Sequence, residues 1–112
     1  MISGEILLND AQLAYTDLLT FFTRTFKGVK IEYTIKRGDQ IEMGDIYLSF
    51  NRYSKIAKIV TISHFDDTGV RFCARLDDEP GLREEGLVRL LYTSTVTGII
   101  PIFKHQIINF TL

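Results

Sequence analysis

The sequence predicts an α+β domain in which one N-terminal helix precedes about six antiparallel strands that form a small barrel or a strongly curled sheet. Residues 11–26 carry apolar side chains at helical spacing, whereas later segments alternate apolar and polar residues with period two. Turn-forming residues separate those later segments. The chain has 112 residues, which fits a single domain over residues 1–112 that buries a core without a metal or a disulfide.

The helix prediction rests on one apolar stripe and on signals at both of its ends. Asn9 or Asp10 offers an N-cap, and Gln12 follows three residues after Asn9 as a capping-box partner. Gly28 comes where a left-handed residue favours the end of a helix. The stripe consists of Ala11, Ala14, Tyr15, Leu18, Phe21, Phe22 and Phe26.

Strands are predicted in most of the remaining chain. Residues 29–36 alternate most regularly, with isoleucine, valine and tyrosine against lysine, glutamate and threonine. The apolar parity changes near Gly44 and Asp45, which predicts a bulge or a bend there. Residues 87–92 fit either a strand or a helix. The other predicted strands are residues 1–8, 41–50, 56–65 and 70–76, and residues 96–100 and 102–110 supply one or two closing strands.

Composition and charge argue against several classes of protein. Thirteen basic and fourteen acidic side chains give a net charge of −1, whereas general nucleic-acid binding needs clustered lysine and arginine. No run approaches the roughly 18 apolar residues that cross a bilayer, so we expect no membrane association. Residues 1–8 lack the features of a signal peptide, and Cys73 is the single cysteine. We therefore expect a cytoplasmic protein with no intramolecular disulfide.

Residues that carry catalytic chemistry are sparse. His64 and His105 are the only histidines, no zinc-ligand spacing is present, and nucleotide-loop and hydrolase motifs are absent. Cys73 and both histidines fit ordinary strand positions, and the one catalytic alternative pairs His64 with Asp66 or Asp67. We expect no metal, no cofactor and no enzymatic activity.

One basic cluster suggests a ligand site. Arg52, Tyr53 and Lys55 combine two cations with an aromatic ring in a predicted turn. Such a turn is able to stack a base and hold a phosphate. The cluster is too small for general nucleic-acid binding, so it predicts at most one small anionic ligand at the rim of a pocket.

The C-terminal region suggests an interface. Adjacent apolar residues there occupy both strand parities, which fits a strand that is covered on both faces. A second copy of the chain explains that cover, and burial under the N-terminal helix explains it equally well. The candidate interface residues are Ile99, Ile100, Ile107, Ile108 and Phe110.

Four segments in the second half of the chain follow one another in a recognisable order. Residues 44–50 are a strand with a glycine and a leucine, residues 56–63 are β-rich, and residues 69–72 read Gly-Val-Arg-Phe. An acidic, leucine-bearing tail follows at residues 76–92. Together these segments resemble the second half of a PilZ-type barrel. The resemblance covers about 45 residues and implies a barrel fold.

The cyclic-di-GMP motifs of the PilZ family are not in place. Arg71 and Arg75 have the RxxxR spacing but lie inside a predicted strand, after the point where the second motif belongs. Residues 39–44 keep the aspartate and the glycine of that second motif, but Ile41 replaces its serine. The resemblance therefore implies a divergent member that acts through protein contacts, and no ligand residue is carried over.

Two functions compete at this point. The first is a non-enzymatic β-barrel module that binds a protein partner or self-associates. The alternative is a small anionic-ligand binder, in its specific form a divergent PilZ-like sensor of a cyclic dinucleotide. An aliphatic surface patch would favour the first, and an enclosed cavity with convergent polar groups would favour the second.

Overall fold

The computed structural model describes residues 2–22, 28–51, 56–78 and 86–110, and these residues form eight strands with no helix. All strand pairs are antiparallel. The strands are β1 (Ile2–Leu7), β2 (Thr16–Phe22), β3 (Gly28–Arg37), β4 (Gln40–Asn51), β5 (Ile56–Phe65), β6 (Val70–Asp78), β7 (Gly86–Ser94) and β8 (Ile102–Phe110).

The strands form two sheets with a common core. A large sheet has the order β1-β8-β3-β4-β5, and a small sheet has the order β2-β7-β6. Strands β3, β4 and β5 follow one another as a meander, whereas the connections after β1, β2, β5 and β7 pass from one sheet to the other. Both inner faces contribute to one buried cluster, so the described residues form a two-layer β-sandwich.

The prediction of an α+β domain with a small barrel or a single strongly curled sheet is therefore wrong. The described residues are all-β, and each sheet ends in two strands that pair on one side only. The physical reason lies in the connections, because a chain that crosses between sheets builds two open layers instead of one closed ring.

The predicted N-terminal helix is replaced by a loop over residues 8–15 and by β2. Ala11 has a positive φ of 57°, which a helix does not accommodate. The Asn9 side chain donates to Gln12 Oε1 at 3.0 Å, so the two residues form a turn and not a helix cap. Residues 23–27 of the prediction lie outside the described residues, and Gly28 begins β3.

The sequence of β2 explains why helical spacing was misleading. The strand contains threonine and phenylalanine, which favour pleated structure over helix. Its pairing with β7 shifts register between Asp17 and Leu19, so its apolar residues do not alternate strictly. Leu18 and Leu19 both pack partly against the core, while Phe21 is buried. A bulged strand therefore imitates a helical stripe.

Several other sequence predictions can be judged directly. Strands β3, β5 and β6 lie where alternation predicts them, and residues 87–92 belong to β7. Residues 96–100 are a loop and not a strand. No register shift occurs at Gly44, because β3 and β4 pair continuously past it. The apparent change of parity arises because Glu42 faces the core while Ile41 and Met43 face outward.

The core is built from the inner rows of both sheets. Ile31, Ile35 and Ile46 from the large sheet are fully buried, as are Val88 and Leu90 from the small sheet. Each such side chain contributes about 1.5–3 kcal/mol through burial. Three aromatic rings also pack in or against the core. The Tyr33 ring lies edge-to-face on Phe72 and stacks on Phe103, at centroid distances of 5.4 and 5.7 Å.

One buried arginine ties the loops together at the end of the sandwich opposite the chain termini. Arg37 is 2% exposed. It donates to Asp10 Oδ1 at 2.5 Å, to the Thr68 carbonyl at 2.9 Å and to the Ile99 carbonyl at 2.9 Å. It also reaches Thr95 Oγ1 at 3.2 Å and the Thr95 carbonyl at 2.7 Å. The loops after β1, β5 and β7 are thus held by one guanidinium.

A buried carboxylate beside this network is equally well bonded. Glu42 is 4% exposed and accepts hydrogen bonds from Tyr33 Oη at 2.8 Å and from Thr68 Oγ1 and N at 2.9 and 3.2 Å. Thr68 therefore connects Glu42 to Arg37, since its carbonyl accepts from the guanidinium. Burial, with the hydrogen bond to Glu42, raises the pKa of Tyr33 well above its usual range. These bonds fix the start of the chain segment that leads into β6.

Candidate functional site: the free edge of β5

The predicted ligand residues Arg52, Tyr53 and Lys55 lie outside the described residues. The anionic-ligand alternative therefore stays a prediction.

The predicted interface residues occupy three separate places. Ile99 and Ile100 are 46% and 54% exposed in the loop between β7 and β8. Ile107 is buried in the core, and Ile108 lies partly buried on the outer face of β8. The backbone of Phe110 ends β8 opposite Gly28. Because β8 pairs with both β1 and β3, its apolar residues of both parities lie in the interior of the large sheet.

The histidines and the cysteine sit on separate strands. His64 is exposed on β5, and no hydrogen bond or ion pair joins it to Asp66 or Asp67 among the described residues. His105 is 8% exposed and stacks on Phe103 with its Nδ1 buried and without a partner. Burial lowers the pKa of His105 and raises that of Cys73. In the described part of the chain, no cluster of three or more histidine, cysteine, aspartate or glutamate side chains could hold a metal ion.

The feature with the clearest capacity for binding is one edge of the large sheet. Strand β5 is the last strand in the sheet order and pairs with β4 alone among the described strands. Residues 60–67 are all exposed. Residues 59–65, Ile-Val-Thr-Ile-Ser-His-Phe, contain no side chain that is charged at neutral pH, no proline and no glycine. We call this segment the β5 edge.

The register of β5 shows which of its backbone groups face no other described strand. Asp66 donates its N–H to the Ile41 carbonyl at 3.0 Å, and the pairing with β4 has no shift. In an antiparallel pair, alternate residues exchange hydrogen bonds with the neighbour. The even-numbered residues of β5 therefore bond to β4. The odd-numbered residues of the β5 edge, which include Thr61 and Ser63, direct their N–H and C=O groups away from the sheet.

The outer face beside this edge carries several exposed apolar side chains. Val60 and Ile62 on β5 are 57% and 46% exposed. Tyr47 on β4 lies opposite Val60, the partly buried Asp45 lies opposite Ile62, and Met43 lies opposite His64. Met43 is 45% exposed, and Ile41 continues the strip at 44%. Exposed apolar side chains beside unpaired backbone groups are typical of a site for strand addition.

Phe65 closes the β5 edge in an unusual conformation. Its φ is +71°, which is rare for a bulky residue, and its side chain is 81% exposed. The following residue, Asp66, holds the position by accepting from Ile41 N at 2.9 Å. The fold thus keeps a large aromatic side chain in solvent at the end of an edge strand, at a cost in backbone strain.

Two cavities flank this region. A cleft of about 360 Å³ lies between β5 and β6 and is lined by Tyr33, Glu42, Ser63 and Arg71, among others. Arg71 pairs with Asp67 at 2.8 Å, which lowers the pKa of Asp67 to about 2. A shallow groove of about 770 Å³ crosses the outer face of the large sheet. Two charge pairs lie on that face, Lys104–Glu5 and Lys30–Glu32.

No family model, curated protein or solved structure matches this chain. The resemblance to a PilZ-type barrel accordingly stays a prediction. No helix in the described residues is long and apolar enough to span a membrane.

Sequence reasoning placed the interface at the C-terminus and missed the β5 edge. The signal was present, because residues 59–65 are β-favouring and uncharged between Lys58 and Asp66. Which strands lie at an edge, however, follows from the pairing order and not from the pattern of any single strand.

Proposed function

We propose that this protein is a non-enzymatic β-sandwich module that binds a protein strand along the β5 edge by strand addition. The observation that carries the proposal is the exposed, uncharged edge with its outward-directed backbone groups. Main-chain hydrogen bonds supply affinity in this mode, and side chains of the incoming strand pack on Val60 and Ile62.

The environment of the buried polar groups supports a binding role over catalysis. Arg37 and Glu42 are fully engaged with loop backbone and with each other through Thr68. Such groups hold the scaffold and are not available to move protons or attack a substrate. The β5 edge, in contrast, directs backbone hydrogen-bonding groups away from the sheet, where no other described strand pairs with them.

A matched pair of variants tests the proposal. Thr61→Pro removes one outward N–H and leaves the bonds between β4 and β5 intact, because the Thr61 N–H does not take part in them. Thr61→Ala keeps that N–H and loses the same side chain. The probe is a labelled peptide, KTVTVTVTD, which alternates as a strand does and has charged ends for solubility. Its binding is measured by fluorescence anisotropy.

We expect the wild type and Thr61→Ala to bind the peptide with similar affinity and Thr61→Pro to bind about tenfold more weakly. Amide hydrogen exchange then shows protection at Thr61 and Ser63 when the peptide is bound. Equal affinity of both variants, or protection elsewhere in the sandwich, would overturn the proposal.

A further inference from the structure

We infer that the strand which occupies the β5 edge is β5 of a second copy, antiparallel to the first, with Ile62 on the two-fold axis. This inference rests on the proposed function and names its partner. It joins the two large sheets into one continuous sheet across the dimer.

The charges that flank the β5 edge select this register. Lys58 precedes the uncharged segment, and Asp66 follows it. When Ile62 lies opposite Ile62 of the second copy, Lys58 lies opposite Asp66 of the second copy, and the reverse pair forms at the other end. Both charges belong to exposed residues, and Asp66 uses only its Oδ2 to accept from Ile41 N, so opposite charges meet at the two ends of the segment. A parallel arrangement in register would instead place lysine beside lysine and aspartate beside aspartate.

The backbone groups fit the same register. The residues with outward N–H and C=O groups are odd-numbered, and the register pairs odd with odd. Thr61 then exchanges hydrogen bonds with Ser63 of the second copy, and Ile59 with Phe65 of the second copy. The even-numbered residues form the intervening non-hydrogen-bonded pairs.

The pairing also gives Phe65 a contact. Its side chain is 81% exposed in the single chain and belongs to the same face as Ile59. In the inferred register, it lies across from Ile59 of the second copy, which is only partly buried in the single chain. An aromatic side chain opposite a β-branched one is a favourable cross-strand pair. Phe65, the residue with the strained backbone at the end of β5, thereby contributes an apolar contact to the dimer.

Cysteine cross-linking tests the position of the axis. In a Cys73→Ser background, Ile62→Cys places two thiols in a non-hydrogen-bonded pair, whose Cα atoms are about 4.5 Å apart. Val60→Cys is the matched control on the same face, because the two introduced thiols then lie about 14 Å apart along the strands. A mixture of Val60→Cys with His64→Cys should cross-link, since those two positions are opposite each other.

We expect Ile62→Cys to form disulfide-linked dimers under mild oxidation and Val60→Cys alone to remain unlinked. Equal linkage of the two single variants would overturn the inference, as would linkage of neither at concentrations where the wild type sediments as a dimer.

A charge exchange tests the register by a second route. Lys58→Glu alone should weaken self-association at least tenfold, because two like-charge contacts replace two attractive ones. Asp66→Lys alone should do the same. An equimolar mixture of the two variants restores both attractive contacts, so a heterodimer should form with an affinity near that of the wild type. Sedimentation velocity measures all three, and a mixture as weakly associated as its components would contradict the register.

The proposal of strand addition and the inference of a β5 dimer are disproved by different results. A wild-type chain that remains monomeric at all concentrations, yet binds the peptide in a manner sensitive to Thr61→Pro, overturns the dimer and keeps strand addition. A dimer that forms equally well with Thr61→Pro overturns dimerisation through the β5 edge, and the peptide measurement then decides strand addition by itself.

Discussion

The two edges of the large sheet differ in how they face solvent. Strand β1 is six residues long, contains Gly4, and carries Glu5 within ion-pair distance of Lys104 at 4.0 Å. Strand β5 is ten residues long and exposes Val60 and Ile62 with no charge between Lys58 and Asp66. Short edges with charge and glycine resist pairing with other chains, whereas long uncharged ones invite it. The sheet is thus protected on one side and open on the other.

Arg37 supports both edges, so its loss should have the largest effect. It holds Asp10, in the loop after β1, and Thr68, in the loop after β5. Arg37→Met leaves the Asp10 carboxylate with only its bonds from the loop of Thr97 and Gly98 and removes the guanidinium donor from several loop carbonyls. We expect a loss of about 3–5 kcal/mol in the free energy of unfolding. Urea denaturation measures this loss. Lys36→Met, at the exposed neighbouring position, should cost less than about 0.5 kcal/mol, and equal costs would refute the role of Arg37.

Two glycines allow the edges to be compared directly. A Cβ at Gly44 would lie 2.2 Å from the Ile62 carbonyl oxygen of β5, whereas a Cβ at Gly4 would lie 2.9 Å from the His105 ring. A backbone oxygen in a ladder cannot move aside, but a ring is able to rotate. We expect Gly44→Ala to cost about 2–3 kcal/mol and Gly4→Ala about 1 kcal/mol or less, by thermal denaturation. The reverse order would show that β1 is the more tightly fixed edge.

His105, which lies on β8 beside β1, allows the comparison of the two edges to be tested at the β1 edge. It lies opposite Gly4, its Nδ1 is buried without a partner, and burial lowers its pKa in the folded chain. The unfolded chain therefore binds the proton more strongly, and stability falls as the pH drops from about 6.5 towards the lowered pKa. We expect the free energy of unfolding to decline more steeply between pH 7 and pH 5 in the wild type than in His105→Phe. Identical slopes would exclude His105 as the cause.

The smallest expected effect concerns the strained end of β5. Phe65→Gly removes the cost of a positive φ at a residue whose side chain is mostly in solvent. We expect the free energy of unfolding of the monomer to rise by about 0.5 kcal/mol, while self-association weakens because the contact with Ile59 of the second copy is lost. Chemical denaturation at low protein concentration gives the first value, and sedimentation gives the second. A variant that is destabilised as a monomer would show that Phe65 supports the fold itself.

The sequence was sufficient to identify strands that have one face in solvent and one in the core. It was not sufficient to predict which face of a strand is buried where a polar residue faces the core. Alternation located β3 because its inward positions are all apolar apart from Arg37 at the end. It failed at Glu42, whose burial depends on Tyr33 and Thr68, residues that are far from it in sequence or across a strand pair. A hydrogen-bond partner that arrives through tertiary structure leaves no periodic signal.

The helix and the site show two further limits. In β2 the bulge between Asp17 and Leu19 displaced the alternation enough to produce helical spacing. At the β5 edge the composition was visible, but its exposure depends on the order of strands in the sheet. Both facts belong to pairing between distant segments, which one sequence does not encode locally.

Because the first described strand pairs with the last one, β1 completes its pairing late when the chain folds during synthesis. Residues 2–7 of β1 bond only to residues 102–107 of β8 among the described strands. At about 5–20 residues per second, β1 leaves the ribosome several seconds before its mate has been made. During that interval the β3–β4–β5 meander is able to form from local hairpins, so the open edge exists before the protected one is complete. Two nascent chains on one messenger RNA would therefore pair through their β5 strands while β1, which contains a glycine and a glutamate, is still without its partner β8.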